Sequence, residues 1–83
     1  MDRQEIIERL KEILLQEDDR KRELIENCTE DMDLVEDFGF NSVGLLYMVI
    51  DIEESFGIRF EEVGIGDFKK LGQVVDYIEE KLK

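Results

Sequence analysis

Apolar residues recur along most of this chain with a helical period, and no stretch alternates in the manner of a strand. Ile6, Ile7, Leu10, Ile13 and Leu14 fall at i, i+1, i+4, i+7 and i+8, which predicts a first helix over residues 2–16. Glu5, Glu8, Arg9, Lys11 and Glu12 take its other face, and Asp2 stands where a cap belongs. Residues 16–22 are wholly polar and read as a turn or a frayed helix end; residues 23–26 can be read as helix or coil. Residues 28–41 read as a long loop. Thr29, Asp31 and Asp33 favour side-chain bonds to backbone there, and Leu34, Val35 and Phe38 are pegs that pin the loop to a core. Gly39 permits a turn of positive φ.

A second helix is predicted from Ser42 to about Phe56, with Ser42 as its N-cap and Gly57 as its stop. A short turn of helix follows at residues 61–66. The last helix spans about residues 70–82, with Leu71, Val74, Val75, Ile78 and Leu82 as its stripe and Lys81 and Lys83 at the negative end of its dipole. The fold class read from this pattern is all-α: a small four-helix bundle with three main antiparallel helices, a short fourth, and a long first loop crossing it.

The second helix carries more apolar residues than one buried face uses. Leu45, Met48, Val49, Ile52 and Phe56 make one stripe; Val43, Leu46 and Ile50 make another on the adjoining side, rimmed by Asp51 and Glu54. In a domain this small, one stripe faces the core. The other is left for a partner, unless the helix is buried on most sides. Tyr47 fits core or partner surface equally.

Composition narrows the function classes. Eighty-three residues make one domain, which buries roughly 60% of the surface its unfolded chain exposes and leaves little room for a deep enclosed active site. With 23 acidic and 11 basic residues the formal net charge is -12. Such a surface repels nucleic-acid phosphates and anionic headgroups and suits a basic partner. Histidine is absent, which removes the commonest general base and metal ligand. The lone Cys28 forms no internal disulfide; it reads as a half-buried small residue, with no basic neighbour to lower its pKa. No apolar run approaches the ~20 residues of a membrane span, and the N-terminus has no apolar signal region. The expectation is a cytoplasmic monomer with no nucleic-acid or membrane partner.

Residues 33–43 read Asp-Leu-Val-Glu-Asp-Phe-Gly-Phe-Asn-Ser-Val. This segment resembles the attachment site of acyl and peptidyl carrier proteins, the phosphopantetheine-binding carrier domains. That family's pattern is an acidic, apolar-pegged loop, then Leu-Gly-x-Asp-Ser-Leu, then a helix ending in Glu-Glu-x-Phe-Gly-Ile. The corresponding stretches are Phe38-Gly39-Phe40-Asn41-Ser42-Val43 and Glu53-Glu54-Ser55-Phe56-Gly57-Ile58, and Val75-Asp76-Tyr77-Ile78 in the last helix is also similar. The resemblance covers nearly the whole chain in order and spacing, which makes residues 1–83 a single carrier domain.

The resemblance implies a non-catalytic carrier with covalent 4'-phosphopantetheine on Ser42, within a motif that includes Asn41 and Gly39. The arm comes from coenzyme A through a separate phosphopantetheinyl transferase and holds cargo as a thioester. A loading enzyme supplies an acyl or aminoacyl group, and a downstream synthase or transferase takes it. Val43, Leu46, Tyr47, Ile50, Asp51 and Glu54 would form the partner interface. The pattern departs at Asn41, where the family has Asp, and at Gly44 and Tyr47, where fatty-acid carriers commonly have acids. Asn41 is left to cap or turn the backbone, to contact the transferase, or both. These departures favour a secondary-metabolite pathway (polyketide or nonribosomal peptide). A fatty-acid carrier and a helical interaction module without a prosthetic group are the alternatives.

Two other readings fall on chemistry. Asp31, Asp33 and Asp37 have calcium-loop spacing, but Glu36 stands where the loop needs Gly and Ser42 where it needs Glu. A stand-alone enzyme has no acid–base pair to place in a cleft.

Overall fold

The computed structural model describes residues 2–17, 19–60 and 68–83. Among them are four α-helices and no strand: α1 (Arg3–Glu17), α2 (Arg22–Glu26), α3 (Ser42–Phe56) and α4 (Leu71–Lys81), with a single 3-10 turn (Asp19–Lys21) leading into α2. The fold is the all-α bundle that the apolar period predicts. The short helix expected at 61–66 lies outside the described residues. The stretch 23–26, open in the sequence, is helical.

Asp2 caps α1 as expected, its Oδ1 accepting from the Glu5 amide at 2.9 Å. The core is built from the predicted stripes: Ile6, Leu10, Ile13 and Leu14 of α1, Leu45, Met48, Ile52 and Phe56 of α3, and Leu71, Val74, Val75 and Ile78 of α4. Helix α1 packs against α2, α3 and α4. Ile25 of α2 is buried, which explains why so short a helix persists: its one apolar peg is held by tertiary packing. Leu82 keeps the helical register, its amide donating to Ile78 O at 3.0 Å, but as the C-cap of α4 it lies a turn beyond the last buried stripe residue, Ile78, and is exposed.

The long loop is tied down at both ends. Its start pairs with the approach to α4: Leu34 N donates to Lys69 O (2.9 Å), Leu71 N to Met32 O (3.0 Å) and Gly72 N to Glu30 O (2.9 Å). First-turn amides of α4 are thereby satisfied by loop carbonyls. A Cβ at Gly72 would lie 3.1 Å from Glu30 Cβ and 3.2 Å from its carbonyl, so the missing side chain lets the loop approach α4 closely. Gln73 Oε1 completes that end by accepting from Lys69 N (2.6 Å) and Lys70 N (2.9 Å). Arg3 adds a charged clasp, bonding Glu30 of the loop and, at 2.8 and 3.0 Å, Asp76 and Glu79 of α4. Bonds to Glu30 first, then Asp76, push the already high pKa of Arg3 further up, so the clasp stays charged.

The middle of the loop folds on its own acids. Asp33 Oδ1 accepts from the Val35 and Glu36 amides (both 2.8 Å), and Asp37 Oδ2 from the Asp33 amide (2.6 Å). Two carboxylates of the supposed calcium spacing are thus turn-makers, and among the described residues no acidic cluster could hold a metal ion. Leu34 and Phe38 are buried as pegs. Val35 is exposed instead, because 34–38 is a helix-like turn, closed by Asp37 N on Asp33 O (3.0 Å), that turns Leu34 and Phe38, four residues apart, to the core and leaves residues 35–37 outside.

Candidate prosthetic-group attachment site

Ser42 is exposed and is the first residue of α3. The expectation that Ser42 caps the helix is corrected: the cap is Asn41. Its backbone is extended (φ -94°, ψ -179°) and its Oδ1 accepts from the Gly44 amide at 2.8 Å. The Asn41 carbonyl takes the Leu45 amide at 3.0 Å. The amides of Ser42 and Val43 have no acceptor among the described residues. Capping by Asn41 leaves the Ser42 hydroxyl free of any backbone duty. Both residues were legible as capping types; only the helix register tells which of the two caps.

The approach to Ser42 is a sharp turn. Gly39 has φ +75°, as its place in the motif predicts. On either side of it Phe38 and Phe40 are buried, their rings stacked 6.1 Å apart with planes at 19°. Phe40 N donates to Leu34 O at 3.1 Å. Lys21 donates from Nζ to the Phe38 carbonyl, and the same ammonium lies 5.6 Å from the Phe40 ring centroid. Sequence reasoning missed Lys21, and nothing local could have revealed it, since it acts across 17 residues of chain.

Along α3 beyond Ser42, the second apolar stripe is exposed: Val43 57%, Leu46 47%, Tyr47 55% and Ile50 41%. These stand at i, i+3, i+4 and i+7, one face of the helix, so Tyr47 belongs to the surface. Glu54 is exposed and Asp51 half-buried. Near the C-terminal end of α3, Ile50, Glu53, Glu54, Gly57, Ile58 and Arg59 line an open hollow of about 400 Å³. In its wall Glu53 Oε2 accepts from the Phe60 amide at 2.9 Å, which ties the end of α3 to the segment that follows. Gly57, in the left-handed region at φ +68°, closes α3 by donating to Glu53 O at 2.9 Å.

Cys28 is half-buried, as expected, but it has a basic neighbour after all. Burial pushes its thiol up and outweighs the lowering by Lys11, which favours the protonated thiol. Among the described residues, no helix is long and apolar enough to cross a membrane.

Comparison with known proteins agrees with this geometry. Residues 4–78 match the family model described as the phosphopantetheine attachment site. An acyl carrier protein of Coprothermobacter proteolyticus is 33% identical over 99% of this chain and 96% of its own length. One of Saccharopolyspora erythraea is 34% identical over 92% of this chain and 77% of its own. One of Thermotoga maritima is 35% identical over 65% and 67%. With a family match across nearly the whole helical bundle, the chain belongs to the phosphopantetheine attachment site family, as a non-catalytic carrier whose prosthetic group is covalent 4'-phosphopantetheine, supplied by a separate enzyme.

Proposed function

We propose that Ser42 carries the 4'-phosphopantetheine arm, and that the protein holds acyl intermediates on it as thioesters and delivers them to partner enzymes. The observation that carries this reading is the exposed hydroxyl of Ser42 as the first residue of α3, preceded by a glycine turn and an asparagine cap. In the transfer from coenzyme A, Ser42 Oγ forms the new bond to phosphorus while the bond to the nucleotide half breaks, and the hydroxyl proton leaves to a base of the transferase. The Ser42 and Val43 amides would hold the phosphodiester, at a helix N-terminus whose dipole favours an anion by roughly 0.3–1 kcal/mol. The bound arm supplies a terminal thiol that exchanges acyl groups. This chain's residues supply the tether and the docking face, and Gly39 and Asn41 shape the backbone around the hydroxyl.

The exposed Val43, Leu46, Tyr47 and Ile50, with Asp51 and Glu54 at the rim, fit a partner that offers an apolar patch ringed by basic residues. That chemistry suits the transferase, a loading enzyme, and a downstream synthase or transferase in the cytoplasm. Gly44 and Tyr47 make this face less acidic than that of fatty-acid carriers. This favours a dedicated polyketide or nonribosomal-peptide pathway, where the cargo is acyl or aminoacyl. The fatty-acid alternative draws on the relatives being named simply as acyl carrier proteins.

The test is intact-protein mass spectrometry after incubation with coenzyme A and a phosphopantetheinyl transferase. Wild type gains one arm and folded Ser42→Ala gains none. A folded wild type that gains nothing, or a Ser42→Ala protein that is still modified, refutes the assignment. The interaction module without an arm predicts partner binding that ignores the state of Ser42.

A further inference from the structure

We infer that Lys21 is a positioning residue for loading the arm: its ammonium clamps the turn that presents Ser42. The inference rests on the proposed attachment at Ser42 and adds a residue that lies outside the attachment motif.

Lys21 ends the 3-10 turn between α1 and α2 and is half-buried. Its Nζ makes two contacts with the segment before Ser42, as donor to the Phe38 carbonyl and as a cation beside the Phe40 ring. Gly39 lies between those two residues. A Cβ built there would lie 2.9 Å from Nζ, so a side chain at this position would push the ammonium aside. Gly39 is required for its positive φ, and its missing Cβ leaves the ammonium where it clamps the turn.

Phe40 transmits the hold to the helix. A Cβ at Gly44 would meet Phe40 Cδ1 at 3.3 Å, so the ring underlies the first turn of α3. Asn41, next in the chain, receives the Gly44 amide. Lys21, Phe40, Gly44 and Asn41 thus form one continuous path that ends beside the Ser42 hydroxyl. The docking face of Val43, Leu46, Tyr47 and Ile50 lies on exposed α3 and takes no part in it. Loss of the ammonium should misplace the nucleophile without removing the docking surface.

The test uses wild type, Lys21→Met, which keeps the aliphatic stem, and Lys21→Arg, which keeps the charge. A charge-assisted bond of this kind is worth about a tenfold change in an equilibrium. In the protein before modification, amide exchange of Phe40 and Gly44 should quicken about tenfold in Lys21→Met, with Val75 and Ile78 amides little changed. In transferase kinetics, kcat should fall about tenfold in Lys21→Met, KM for the carrier should hold, and Lys21→Arg should recover most of the loss. A modified wild type with an equally fast Lys21→Met overturns the role of Lys21 and leaves Ser42 standing. Equal slowing in Lys21→Arg and Lys21→Met does the same. An unmodified wild type removes the Ser42 assignment and the role given to Lys21 with it, while exchange still reports whether the clamp exists.

Discussion

Asn41 and Ser42 are adjacent residues of similar capping chemistry, and the structure gives them separate duties that stability can distinguish. Asn41→Ala deletes the 2.8 Å bond from the Gly44 amide, which then has no protein acceptor at the end of a 15-residue helix. An N-cap of this kind is worth about 1 kcal/mol. Unfolding entropy of about 2.1 cal/mol/K per residue makes that roughly a 6 °C fall in Tm for a chain of this length. Ser42→Ala removes an exposed hydroxyl that holds no amide and puts the best helix former at the first helical position. Its Tm should hold or rise slightly. Asn41→Asp keeps the acceptor and adds a negative charge at the positive end of the dipole. It should match or exceed wild type at pH 7 and lose that gain as the new carboxyl protonates. Thermal unfolding followed by circular dichroism, on all four proteins before attachment of the arm, reads these shifts. A Ser42→Ala protein that melts as early as Asn41→Ala would refute the division of labour, because the serine would then be capping. The same Ser42→Ala protein, folded and as stable as wild type, is the control that the mass-spectrometric test needs.

The two stripes of α3 should answer differently to truncation. Ile52→Ala empties a fully buried site and should cost about 2–5 kcal/mol in urea unfolding, whereas Leu46→Ser should stay within about 0.5 kcal/mol and weaken partner binding instead. Gly57→Ala places a Cβ in open space but in the left-handed region, so a loss of about 1–2 kcal/mol in the same assay would report backbone strain alone. Amide bonds, that of Glu36 first, lower the Asp33 pKa below the usual carboxylate value. Its contribution is therefore present above the unfolded pKa and is lost as pH falls through the lower folded one. Asp33→Asn keeps the acceptor without the charge. Wild type should exceed it in urea stability near pH 7, and the gap should close below about pH 4. A gap that is constant with pH would mean the charge plays no part.

Much of this molecule was legible before any coordinates, because helices announce themselves by period. The stripes of α1, α3 and α4 return to one side every three or four residues, and they meet in the core except for Leu82, which is exposed, and Ile7 and Val49, which are half-buried. Gly39 and Gly57 were readable for the same local reason: a positive φ selects for a missing Cβ. The surplus stripe on α3 also followed from counting, since a small bundle has one interior for each helix to face. Ser42 was legible through the run of residues around it. Its exact duty was not, because a one-residue shift in helix register moves the cap from Ser42 to Asn41.

What only tertiary structure decided are the contacts between residues far apart in sequence. Val35 faces outward because the turn made by Asp33 and Asp37 sets its direction. The loop's bond to α4 through Met32 and Leu71, the glycine at 72 pressed against Glu30, and the reach of Lys21 to Phe38 leave no periodic trace in the chain. The sequence alone determined which faces would be buried and where a serine would stand at a helix start. The packed structure determined what holds that serine there, because such support comes from side chains that meet only once the helices have closed on a shared core.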